Sequence, residues 1–379
     1  MVPLENHASH VARTAGSARP TQLLAGNAHC FFCLKKNLRK RNAEMNNIET
    51  ETPQIRGHRV TDFLNREELK HFTARSDLRG LWAIVSVWSV IALAFAAMAL
   101  ASTLPLYAGL PLFLIGFIVL GGRHLALAIL MHEAAHNTLF KSRWGNDVLT
   151  DWLAAKPIWN SVAKFRAHHM VHHTNTTADY DPDRPLYSAY PVTPGSLARK
   201  FLRDILGITG IKFMLGRVLM SAGVLKWSDA IGEPEPQSRS LRWWEFVVRF
   251  FKDSWATILT NALLYLALAA SGYGWLYACW VFAYMSPFSV IVRLRAMAEH
   301  ACLQDVPDTV KNTRTTYAGL LGRLTVAPLR VNYHLEHHLI ASTPYYRLPA
   351  LHSHLLKQAK VPPGWTYGGV IRACSQLDK

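Results

Sequence analysis

Uncharged apolar runs dominate the pattern along this chain. Gly80 to Ala101 reads GLWAIVSVWSVIALAFAAMALA, with no charged residue. At 1.5 Å per residue this predicts a helix about 33 Å long, enough to cross a bilayer core. Leu104 to Gly122 is a second such run, and only Ser102–Thr103 separates the two. The pair predicts a transmembrane hairpin. A second hairpin is predicted from Trp255 to Val292, with its arms meeting at the uncharged turn Ser271–Gly272–Tyr273–Gly274. The expected spans are thus about 80–101, 104–122, 255–271 and 274–292. Asp204 to Leu225 mixes apolar residues with Lys212 and Arg217, which predicts an interfacial amphipathic helix rather than a fifth span. Arg242, Trp243 and Trp244 read as an interface anchor.

The hairpin tips carry no Lys or Arg. The positive-inside rule therefore places everything outside the hairpins, both termini included, on the cytoplasmic side. The predicted fold class is an all-α integral membrane protein, with four spans in two hairpins and a cytoplasmic helical cap.

Composition agrees with this pattern. The 379 residues are 50% hydrophobic but only 17% charged, below the roughly 25% of an average soluble chain. The net charge of +16 fits an anionic membrane surface, and no nucleic-acid partner is expected. Residues 1–44 differ from the rest. They are polar and basic, with no apolar segment of secretory type, and predict a disordered tail ahead of a membrane domain at 45–379. Met45 is the expected functional start. Five scattered cysteines offer no disulfide framework, and the lone Cys30/Cys33 pair carries little by itself.

The histidines change the picture. Of 18, most of the closely spaced ones fall in three clusters: His132–Glu133–Ala134–Ala135–His136, His168–His169–Met170–Val171–His172–His173, and His334–Leu335–Glu336–His337–His338. Positions i and i+3 or i+4 share a helix face, so HxxxH and HxxHH each predict imidazoles aimed at one point. The box-forming set is His132, His136, His169, His172, His173, His334, His337 and His338, with His300 as a ninth candidate. Nine imidazoles exceed one tetrahedral zinc and suit two ions of iron, zinc or copper with positions left open. His168 is expected to orient a neighbour rather than ligate. His124 is expected to pack, and His352 and His354 to lie on the surface of a tail helix; His58 and His71 have no assigned role. Asp179, Asp181 and Asp183 are candidate hydrogen-bond partners of ligand imidazoles. Glu133, Glu299 and Glu336 adjoin histidines but are expected to point elsewhere. Read alone, HExxH at 132–136 would also fit a zinc metalloprotease with Glu133 as base; a metal transporter would need polar residues inside the spans. The protease reading leaves the other two boxes unexplained, and the spans carry almost no such residues for a transporter.

At these boxes the chain resembles the membrane fatty acid desaturase family. HEAAH, HHMVHH and HLEHH carry the likeness, supported by DYDPD, RLRAMAEH, TRTT and PYYRLPALH. The resemblance runs from about Asp62 to the C-terminus. It implies a non-haem centre of two iron ions (Fe2+) held by His132, His136, His169, His172, His173, His334, His337 and His338, with His300 in the place of a further family histidine. Animal stearoyl-type members carry an Asn one turn before that histidine, where this chain has Ala296. No catalytic residue beyond the ligands is implied. The implied reaction is O2-dependent insertion of a double bond into an acyl or similar aliphatic chain. Related members act on a small amino-acid-derived metabolite or hydroxylate instead. No HPGG haem motif is present, so the implied electron donor is external, such as ferredoxin or a cytochrome b5-like protein. The implied location is the bacterial inner membrane.

Overall fold

The computed structural model describes residues 54–55, 58–229, 236 and 242–376. The basic tail, Cys30, Cys33 and Met45 lie outside them. A short antiparallel pair, β1 (Gln54–Ile55) and β2 (His58–Arg59), sets Gln54 opposite Arg59 and Ile55 opposite His58. After two short helices the chain is built on α1 (Asp77–Ala101) and α2 (Leu106–Ala135). Ser76 caps α1 by accepting a hydrogen bond from the Arg79 amide. The two long helices pack closely because glycines meet the partner backbone. A Cβ on Gly116 would stand 2.8 Å from Met98 Cγ and 3.1 Å from the Ala94 carbonyl oxygen.

Helix α2 runs well past the predicted end of the second span. Leu120 and residues Leu125 to Ala135 are buried apart from half-buried Ala128, so the helix carries the first histidine box into the protein interior. At Gly122 an added Cβ would meet the Leu324 carbonyl oxygen at 2.3 Å. That close approach brings the 324–325 backbone against α2, and the Arg123 guanidinium donates to the carbonyls of Arg323 and Leu324 at 3.0 and 2.7 Å.

Two π-helical turns, Gly145–Leu149 and Asp151–Ala155, lead to α3 (Val162–Asn175). Next come α4 (Pro194–Ile205) and α5 (Ile208–Ser221), separated at Gly207 with φ +74°. Only glycine takes that left-handed value without strain. The expected interfacial helix at 204–225 is therefore two helices, in which Lys212 is exposed but Arg217 is not. Arg217 turns inward and pairs with Asp229, while Ile211 and Leu215 face outward.

Helix α6 (Trp243–Ala270) starts before the predicted third span and includes Arg249, Lys252 and Asp253. The predicted fourth span is broken at Ser286–Pro287 into α7 (Leu276–Met285) and α8 (Pro287–Glu299), because proline lacks the N–H that would continue the ladder. Three stretches are long and apolar enough to cross a membrane: Arg66–Ala101, Leu106–Ala135 and Leu276–Glu299. Helix α6 is not among them, so three of the four expected spans have such a stretch among the described residues. Short helices α9 (His334–Leu339), α10 (Leu348–Lys357) and α11 (Tyr367–Cys374) complete the chain. The main core joins α1, α2 and α7 through Ile84, Ile91, Met98, Leu120, Leu127 and Trp280. His124 packs in it, its ring 3.9 Å from that of Trp280.

Candidate metal centre

The last turn of α2, the middle of α3, the end of α8 and the whole of α9 deliver the nine candidate histidines to one place. They form two groups. His132, His136, His169, His173 and His337 make one; His172, His300, His334 and His338 make the other. Within each group the nearest ring nitrogens all lie within 4.8 Å of one another.

The grouping corrects one expectation. Each HxxHH box does not aim at a single point but divides two and one. His169 and His173, four residues apart, enter the first group while His172 enters the second. In α9 the pair His334 and His338 enters the second group and His337 the first. Helix geometry is the reason: i and i+4 differ by about 40° around the axis, whereas neighbours differ by about 100°.

The nitrogens stand as a metal site requires. His173 Nε2 is 3.0 Å from both His169 Nε2 and His337 Nε2, and His334 Nε2 is 3.0 Å from His300 Nε2. Two imidazoles at about 2.1 Å from one ion and about 90° apart are separated by about that distance. Both nitrogens of His132, Nε2 of His136 and His338, and Nδ1 of His334 and His337 are buried without a hydrogen-bond partner. The unpaired Nε2 atoms of His132, His136 and His338, buried among other imidazoles, fit a cation-binding site. An all-imidazole donor set suits iron, zinc or copper.

The surroundings keep the rings neutral. Burial lowers the pKa of His169, His173, His334, His337 and His338 well below the ordinary histidine value. Burial also takes His136 and His300 down to about 3. Neutral imidazole is the ligating form. His172 goes the other way: burial opposes its charge, but Asp183 and Asp181 together raise its pKa.

These depressed values carry a sign for stability. In the unfolded chain the same histidines take up protons near pH 6.5, whereas in the fold they resist, His136 and His300 down to about pH 3. Stability is therefore full above pH 6.5 and is lost as pH falls through the window between those values. The metal-free protein is expected to melt at a lower temperature at pH 5 than at pH 7.5. Differential scanning fluorimetry across that range checks this, and an unchanged or raised melting point at pH 5 would contradict it.

Hydrogen bonds from the outer nitrogens fix the rings. His172 Nδ1–H donates to Asp181 Oδ1 at 2.9 Å, and His300 Nδ1–H to the Asn312 carbonyl at 3.0 Å. Each bond leaves Nε2 free to face its group. Asp181 is itself held by the Tyr187 hydroxyl and the amides of Thr177 and Asp183. His168 lies outside both groups, and its Nε2–H donates to Asp183 Oδ1 at 3.0 Å. Asp179 is exposed and stands 3.8 Å from Arg184, away from the histidines.

Glu133 and Glu299 differ from expectation, whereas Glu336 points away from the ligand histidines as expected. Glu133 Oε1 lies 3.6 Å from His132 Nδ1, while its other oxygen accepts from Thr138 and the Tyr345 amide. Glu299 Oε1 lies 3.5 Å from His334 Nδ1 and is paired with Arg295. Glu336 accepts from Thr315 and from His352 Nδ1, the latter at 2.7 Å. His352 is therefore buried, not on the surface. His354 is partly exposed and pairs with Glu68, His58 pairs with Asp308, and His71 meets Arg347. The Glu299–His334 contact crosses between helices, so no local spacing announces it. His352 was legible, since it follows Leu348 by four residues on the buried face of α10.

Comparison with known proteins agrees with this geometry. The family model described as Fatty acid desaturase matches residues 108–368. The chain belongs to the fatty acid desaturase family, and is a membrane protein and an oxidoreductase of desaturase type. It is similar to the Dihydrorhizobitoxine desaturase of Bradyrhizobium elkanii, at 25% identity over 273 residues, covering 69% of this chain and 72% of the relative.

Proposed function

We propose that this protein is an O2-dependent di-iron desaturase that places a double bond in a fatty acyl or similar aliphatic chain. The observation that carries it is the pair of buried histidine groups within a chain of this family. His132, His136, His169, His173 and His337 would hold one iron, and His172, His300, His334 and His338 the other. Iron bound there supplies O2 activation and oxidation of a C–H bond. The balance is RCH2–CH2R′ + O2 + 2e⁻ + 2H⁺ → RCH=CHR′ + 2H2O, with the two electrons coming from an external donor such as ferredoxin or a cytochrome b5-like protein.

The chain's own part is placement and shielding. The carbonyl of Asn312 and the carboxylate of Asp181 orient two ligands; Arg295 holds Glu299 beside a third. His132, His169, His172, His334 and His337 are almost wholly inaccessible, so bulk water is kept from the reacting carbon. Charge placement supports an orientation with this centre on the cytoplasmic side of the bacterial inner membrane, with α6 lying beside the three apolar stretches as a fourth crossing. The relative's name supports a second reading, in which the substrate is a small metabolite such as dihydrorhizobitoxine.

Expression in a bacterial host beside a His337→Ala control tests the reading through total acyl profiles by mass spectrometry and iron per chain. The expected result is a double bond missing from the control and close to two irons per wild-type chain. Zinc in place of iron, or identical profiles with donor supplied and dihydrorhizobitoxine also unconverted, would overturn it.

A further inference from the structure

The cysteines are scattered along the sequence, but the fold brings two of them together. Cys302 and Cys374 are 72 residues apart, and their sulfurs stand 3.6 Å from each other. Neither belongs to the histidine groups. Both are free thiols, as is Cys279, which is buried in the main core.

The pair is held by packing on both sides. Helix α11 presents Val370 and Cys374 on one face, four residues apart. That face packs on Met297, Ala298 and Ala301, at the end of α8 and just past it. Thr366 caps α11 by accepting from the Gly369 amide at 3.1 Å, and the Cys374 carbonyl accepts from the Val192 amide at 2.9 Å. Both ends of the helix are fixed, which sets the Cys374 sulfur in the seam. Cys302 enters the seam from the other side. It lies in the turn after α8 at φ +56°, a left-handed value that a residue with a Cβ keeps only where its surroundings hold it. Its sulfur faces Cys374 and, at 3.7 Å, the Ala373 carbonyl.

The two sulfurs differ in access. Cys374 is fully buried, whereas Cys302 is partly exposed. Burial and the neighbouring Cys302 push the Cys374 thiol up to about 12, against an opposing pull from the Arg314 guanidinium. Cys374 therefore stays a thiol until a partner sulfur is activated beside it. The sulfurs touch without bonding. A disulfide needs about 2.05 Å, a closure of about 1.5 Å that side-chain rotation supplies.

We propose that Cys302 and Cys374 form a dithiol site for oxidation by hydroperoxides, closing to a disulfide that staples α11 to the end of α8. Peroxide meets the more exposed Cys302 first. That sulfur takes one oxygen as the O–O bond breaks, giving a sulfenic acid and one water. The Cys374 sulfur then attacks it. The S–S bond forms, the S–O bond breaks, and the hydroxyl leaves with the Cys374 proton as a second water. Two thiols and one peroxide thus give one disulfide and two waters. In a reducing compartment such a bond is transient and returns to thiols. The staple lies two residues past His300, so oxidation fastens the turn that follows one histidine of the second group. The inference does not depend on the desaturase reading.

Tryptic mapping of the purified full chain, exposed to hydrogen peroxide and alkylated without reduction, tests it. The expected result is a peptide pair linked through Cys302 and Cys374, which dithiothreitol releases. The linked chain is expected to melt a few degrees higher, since the bond closes a loop spanning 72 residues. Cys374→Ser is expected to leave Cys302 as a sulfenic acid that dimedone captures, and Cys302→Ser to leave Cys374 unoxidised under the same exposure. If either serine variant fails to fold, the two wild-type measurements carry the test. Two free thiols after peroxide, Cys302 carried on to the sulfinic acid without a link, a melting point that does not rise, or a link that forms no faster than in chain unfolded beforehand would overturn the site.

Discussion

Replacing His173 with alanine is expected to abolish turnover and remove iron, with a loss of activity beyond about 100-fold. His173 Nε2 is the meeting point of the first group, 3.0 Å from a nitrogen on its own helix and from one on α9. Its loss breaks the link between α3 and α9 and leaves two other imidazoles without their shared partner. A metal site missing an inner ligand loses more than the 10–100-fold typical of outer supports. His168→Ala is the comparison. Its ring lies one residue from His169 yet outside both groups, held by Asp183, so it is expected to keep its iron and to lose less than about tenfold in rate. Iron per chain by mass spectrometry, with turnover on the same preparations, separates the two. Full activity in His173→Ala, or equal losses in both, would sink the ligand assignment.

The second large effect is expected from Asp181→Asn, a change of one atom. The Asp181 carboxylate accepts from His172 Nδ1, the Tyr187 hydroxyl and the amides of Thr177 and Asp183. Four donors converge on two oxygens, which only a carboxylate satisfies fully. An amide presents one oxygen and an NH2 that would face donors. The negative charge that makes His172 a stronger donor of its electron pair goes with it. Iron affinity is expected to fall about 10- to 100-fold, chiefly at the second group, while the first group keeps its ion. Mössbauer spectra of iron-57-loaded protein, resolving one population from two, check this. Undiminished loading of both would mean that Asp181 is only a loop brace.

Much of this was legible in the chain. The first hairpin follows directly from two uncharged runs, and the three boxes together with His300 name all nine histidines that the fold gathers. The two-and-one division of HxxHH was also within reach, since it needs only the angular step of a helix. What lay beyond reading were contacts between distant segments. Glu299 supports His334 across 35 residues of chain, and Arg217 is buried because Asp229, twelve residues on, turns back to meet it. Hydropathy places such an arginine at an interface because it has no view of the counter-ion. The predicted second hairpin is less regular than its apolar runs suggest. Trp255 to Ala270 is uncharged, but Asp253 and Lys252 lie inside the same helix, and Pro287 divides the fourth run.

The divided boxes have a consequence for how the centre fills. Helices α3 and α9 each give ligands to both groups, so an ion in either one immobilises backbone that the other also needs. The first ion bears the entropy of docking α9 on α3; the second finds its imidazoles already in register. Loading is thereby cooperative. On the di-iron reading, wild-type chains short of iron would be a mixture of complete centres and empty ones, and a single ion would persist only where one group is damaged, as in Asp181→Asn.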